Sequence, residues 1–99
     1  MQTIIFLIYI DNLHISVGDK MKIQRAVALR ITNLLIKNNI TQYELSKRMC
    51  TDASTIKHII HEEYKSIKLD TIVKIADAFN MSLQDFLSDE LFKRENLDV

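Results

Sequence analysis

Along residues 22–37 the apolar positions Ile23, Val27, Ile31, Leu34 and Leu35 return every three or four residues, the spacing that gathers side chains on one face of an α-helix. Arg25, Arg30 and Lys37 fall on the other side, so the segment predicts an amphipathic helix with those cations in solvent. Asn38 and Asn39 interrupt the pattern as turn residues. Thr41 then opens a capping box, Thr41-x-x-Glu44, whose side chains satisfy backbone N–H groups at a helix start, and a short helix is expected from Gln42 to about Met49.

Cys50, Thr51 and Asp52 break the periodicity, with Asp52 placed to cap a third helix from Ala53 to about Ile60 whose inward residues are Ile56, Ile59 and Ile60. A polar stretch, residues 61–68, leads to a fourth helix with Leu69, Ile72, Ile75, Ala76 and Phe79 on one face, closed by Asn80 as a left-handed residue. Ser82-x-x-Asp85 caps a fifth helix carrying Leu83, Phe86 and Leu87, with Leu91 a further candidate for that face. Residues 94–99 read as a frayed tail. The expected fold class is all-α, a compact bundle of five helices, and the two short helices across a tight turn have the helix-turn-helix arrangement of DNA-reading proteins.

Composition supports helices: 47% of the residues are apolar, Pro is absent and Gly occurs once, and 99 residues suit one domain with one core. The single cysteine, Cys50, has no partner for an intrachain disulfide, which suits a cytoplasmic protein. The apolar run at residues 4–10 is far shorter than the roughly 20 residues of a spanning helix, and no Lys or Arg precedes it, so neither a membrane span nor a signal peptide is expected. A formal charge of zero argues at first against nucleic acid, yet the charges are segregated. Residues 20–74 carry eleven Lys/Arg against five Asp/Glu, a net of +6, and residues 75–99 carry two against six. A basic body with an acidic end can still present one face to phosphates.

In this order of elements, Arg30 to Leu87, and above all TQYELSKRM (41–49), DASTIKHII (52–60) and LDTIVKIADAFNMSLQDFL (69–87), resemble the phage repressor and Cro type of helix-turn-helix, the XRE family. The resemblance implies a lambda-repressor-like fold and a transcriptional regulator, a repressor, that binds double-stranded DNA; the pattern of elements sets the domain at residues 21–93, and a homodimer formed through residues 1–20 is the expected assembly. The resemblance also implies that Thr41 and Gln42 open the first motif helix, with Gln42 against a phosphate or base. Ala53 to Ile60 becomes the recognition helix, with Ala53, Ser54, Lys57 and His58 facing the major groove.

Three departures from that pattern carry physical consequences. Relatives usually have Gly where this chain has Cys50, and a left-handed backbone there costs Cys about 1 kcal/mol relative to Gly. A buried Arg–Glu pair common among relatives is replaced by Leu35 and Ile60, a joint change to packed hydrophobes that is often neutral or stabilising. After the recognition helix, Glu62 and Glu63 stand where relatives tend to have a Gly and a basic residue; acids near DNA weaken binding unless they point outward or pair, with Lys65 and Lys68 as the partners in view.

Other constellations are weaker. His58, His61 and Glu62 make a thin case for zinc because no fourth ligand is in view, and no metal or cofactor is expected. Cys50 reads as a packed thiol rather than a redox sensor. With no Gly-rich phosphate loop and no nucleophile beside a base, the chain does not read as an enzyme. The rival to DNA binding is an antitoxin-like module that uses the same fold to bind a protein partner, which Glu62, Glu63 and zero net charge would suit.

Residues 1–20 lie outside the resemblance and have two readings. The run at 4–10, then Asp11-Asn12 and the alternation Leu13, Ile15, Val17, fit a β-hairpin whose apolar edge needs a second chain or the helices to cover it. Alternatively Met21 is the natural start, since Val17 to Lys20 can be written in codons that place a ribosome-binding sequence just before it.

Overall fold

A computed structural model describes residues 20–98, so the hairpin reading of residues 1–20 falls almost wholly outside the described residues. Five α-helices follow in order: α1 Ile23–Asn38, α2 Gln42–Arg48, α3 Ala53–Ile60, α4 Leu69–Ala78 and α5 Leu83–Leu87. Two single 3-10 turns, Glu90–Phe92 and Arg94–Asn96, complete the chain. The bundle is all-α, as the periodicity predicts.

The helix starts rest partly on the expected caps. Thr41 Oγ1 accepts from the Glu44 N–H at 3.0 Å, and Ser82 Oγ accepts from the Asp85 N–H at 3.0 Å. Asp52 occupies the N-cap position of α3 but its side chain makes no capping bond, contrary to the sequence reading.

The helix ends share one device. Asn39, Cys50, Glu62 and Asn80 all have φ between 54° and 59° and sit just past α1, α2, α3 and α4. At each of them the left-handed residue and its successor return N–H groups to the last turn, as in Cys50 N–H to Lys47 O at 3.1 Å and Thr51 N–H to Ser46 O at 3.0 Å. This is the Schellman arrangement, which satisfies carbonyls that a helix end leaves open. Glycine is the usual occupant, but the chain's only glycine, Gly18, is not among the described residues. Asn tolerates the conformation; Cys50 and Glu62 carry its steric cost.

The main core joins α1 through Val27, Ile31, Leu34 and Leu35 to Leu45 of α2, Ile56 and Ile59 of α3, Ile72, Ile75 and Ala76 of α4 and Phe86 of α5. Helix α1 is buried on a second side too, where Ala26 and Leu29 meet Met21, Leu91 and Leu97. That second contact corrects the frayed tail. Met21 and Leu97 form a parallel bridge, with Met21 N–H donating to Asn96 O at 2.9 Å and Asp98 N–H to Met21 O at 2.8 Å. The chain end is clasped to the start of α1, because Leu91 and Leu97 supply the apolar surface that Ala26 and Leu29 need.

Arg30 is the largest correction to the amphipathic reading of α1. It is only 8% exposed, and its guanidinium donates to Phe86 O at 2.9 Å, to Asp85 O at 3.0 Å and to Asp89 Oδ2 at 3.1 Å. A cation thus caps the carbonyl end of α5, a short helix with no left-handed cap of its own. Leu69, Leu87 and Ile23 move the other way: each was expected on a buried face and is exposed, Leu69 at 63%. All three are the first or last residue of their helices.

Candidate nucleic-acid interface

The two motif helices are held from beneath. In α2, Leu45 and Ser46 are buried, and Arg48 ties the helix to the end of α4 by donating to Ala78 O at 3.2 Å. In α3, Ile56 and Ile59 are essentially inaccessible. A rotation of α3 would expose both, so its outward face is set by burial of the inward one.

That outward face carries the residues named from the sequence. Ala53, Ser54 and Lys57 are exposed, His58 is half-buried, and Gln42 is exposed at the start of α2. Ser54 and His58 are four residues apart and share a stripe with Lys57 beside it. Sequence reasoning missed Tyr43 in α2, which is 65% exposed with the Lys47 ammonium 5.5 Å from its ring centre. Its position next to Gln42 and its i,i+4 spacing to Lys47 were the available signals.

The segment after α3 is fastened to α1 rather than to its own lysines. Arg25 Nε donates to Glu62 Oε2 at 3.2 Å, and the Gln24 side-chain amide donates to the Lys65 carbonyl. His58 Nδ1 and Glu63 Oε1 are 2.9 Å apart, and the His58 ring meets that of Tyr64 at 5.8 Å between centroids. Glu62 and Glu63 therefore pair with Arg25 and His58, not with Lys65 and Lys68. The left-handed backbone at Glu62 turns the chain back toward α1 and makes those pairs reachable. Lys47, Lys57, Lys65 and Lys68 stay exposed around the motif.

Glu62 faces Arg25 and His58 faces Glu63, and among the described residues no group of three His, Cys, Asp or Glu side chains is placed to hold a metal. Cys50 is exposed, which corrects the packed-thiol reading: its left-handed turn position lies outside the core. Among the described residues no helix is long and apolar enough to cross a membrane.

Helix, left-handed turn and helix, with a buried underside and a small polar upper face, define a helix-turn-helix protein. Comparison with curated proteins and with solved structures gave no match. The profile of the Cro/C1-type HTH DNA-binding domain matches residues 30–91, well over half of the chain, and the chain belongs to that family.

Proposed function

We propose that this chain is a transcriptional regulator, acting as a repressor, that reads double-stranded DNA by laying α3 in the major groove. The observation that carries the reading is the division of α3 into an underside locked by Ile56 and Ile59 and an outward face of Ala53, Ser54, Lys57 and His58. Such a face is narrow enough to enter the groove and offers Ser54 and His58 to base edges. Lys57 supplies phosphate or guanine contact, and Gln42 positions α2 on the backbone. Glu62 opposes phosphates less than an isolated acid would, because it is ion-paired with Arg25 within the protein. The repressor role rests on the likeness to phage repressors, and a homodimer matches the two-fold symmetry of operators read by such domains. The reading requires no cofactor and no catalysis, and it places the protein in the cytoplasm with the DNA.

Titration with random duplex DNA at low salt, followed by selection of bound sites, tests the proposal. The expected result is sequence-independent affinity that falls steeply with salt, and a selected site whose affinity drops about 1–3 kcal/mol on His58→Ala or Ser54→Ala. Unchanged preference and affinity in both variants would remove α3 as the reader. The antitoxin-like reading is favoured by one observation, the exposed pair Leu69 and Val73 one turn apart on α4. A module of that kind shows no affinity for random duplex at low salt.

A further inference from the structure

His58 and Glu63 are joined in a way that decides what the histidine can recognise. The Nδ1 to Oε1 distance is 2.9 Å. A carboxylate offers lone pairs and no hydrogen, so the hydrogen in this bond sits on Nδ1. A neutral imidazole has one ring hydrogen, and holding it at Nδ1 leaves Nε2 as a bare acceptor. The arrangement is anchored from both sides. The Glu63 backbone N–H bonds the His58 carbonyl at 2.9 Å as part of the α3 end motif, and the Tyr64 ring lies against the imidazole.

We infer that Glu63 is a positioning residue that sets base choice: it fixes the neutral His58 ring as the Nδ1–H tautomer, so that at a pH where the ring is neutral Nε2 accepts a hydrogen bond from adenine N6 or cytosine N4 in the major groove. The inference rests on the reading of α3 as the base-reading helix. It also reverses the polarity a free histidine could offer, since a ring protonated on Nε2 donates to N7 or O6 of guanine. Guanine presents only acceptors in the major groove and thymine presents an acceptor and a methyl group, so neither has a donor for the bare nitrogen. Glu63 is thereby given a role that its negative charge near phosphates would not suggest.

Two measurements on the full chain test this. Nitrogen-15 correlation spectra of the His58 ring, recorded without DNA at a pH where the imidazole is neutral, are expected to show Nδ1 protonated and Nε2 bare. In Glu63→Ala the hydrogen is expected to shift toward Nε2. A wild-type ring protonated on Nε2 overturns the inference whatever the protein does on DNA. Site selection with random duplexes at that same pH is expected to return adenine or cytosine at the position facing His58 in the wild type, and guanine there in Glu63→Ala. The wild-type site should bind that variant about tenfold more weakly, the loss of one base contact. If Glu63→Ala leaves base choice intact while His58→Ala changes it, the inference falls and α3 remains the reader. If neither variant changes base choice, His58 reads no base, and the inference falls together with that part of the proposed function. The Glu63 side chain is exposed and its end-motif bond belongs to the backbone, so Glu63→Ala is expected to melt like the wild type.

Discussion

Cys50 shows what one backbone angle costs. At φ 54° its Cβ crowds the following carbonyl, a penalty of roughly 1–2 kcal/mol that glycine escapes, while glycine costs about 0.5–1 kcal/mol in the freedom it adds to the unfolded chain. Cys50→Gly is therefore expected to stabilise the protein by about 0.5–1 kcal/mol, seen as a rise of a few degrees in Tm. Glu62 has the same backbone but holds Arg25, a half-exposed pair worth about 0–1 kcal/mol, so Glu62→Gly should gain less. A Cys50→Gly chain that melts no higher than wild type would mean that the turn is not strained. Arg30 is the opposite case, a residue whose polar contacts oppose its sequence neighbourhood. Arg30→Leu fits the apolar surroundings yet strips the Phe86 carbonyl of the guanidinium donor, leaves the Asp85 carbonyl to Ser88 alone and takes the ion pair from Asp89, and a loss of about 3 kcal/mol is expected in denaturant titration. A loss under half of that would mean that water replaces the guanidinium at the end of α5.

At the scale of elements, α1 is the central member, packed on α3 by one side and on the first 3-10 turn by another. Leu35 and Ile60 belong to the same core cluster, Leu35 buried and Ile60 half-buried. Leu35→Arg alone is expected to destabilise by about 3–5 kcal/mol because it buries an unpaired charge, and adding Ile60→Glu should recover part of that loss. Equal damage in the single and double variants would show that the two positions do not pair. The clasp between Met21 and residues 96–98 lies just before the start of α1. A chain starting at Met21 is accordingly expected to keep its helical content and a cooperative melt, with any change confined to self-association. Failure of that shorter chain to fold would move the domain boundary upstream.

For the whole molecule, zero net charge conceals a basic body and an acidic end, and binding to DNA depends on which of the two meets the phosphates. The exposed lysines around α2 and α3 belong to the basic part, so affinity should follow counterion release. Lys57→Ala is expected to weaken specific and random sites alike and to reduce the slope of log affinity against log salt by about one. An unchanged slope would place Lys57 away from the backbone of the DNA.

The helices, the Thr41 and Ser82 N-caps and the left-handed Asn80 were legible in the sequence because they depend on neighbours within four residues: apolar spacing, a side-chain oxygen three residues before an N–H, a residue that tolerates positive φ. The outward face of α3 was legible for the same reason, since burying Ile56 and Ile59 leaves Ser54 and Lys57 no other direction. What the spacing could not give were partners distant in sequence. Arg30 reads as a surface cation until α5 brings its last carbonyls alongside, 55 and 56 residues away. Residues 94–98 read as a loose end until Leu97 meets the second side of α1. Glu62 finds Arg25, rather than its neighbouring lysines, only once a left-handed turn has swung it toward α1. Local periodicity determined which segments became helices and which sides were apolar; the tertiary fold decided which charges were spent inside the protein, because a buried or paired charge is settled by what packs against it and not by the residues beside it in the chain.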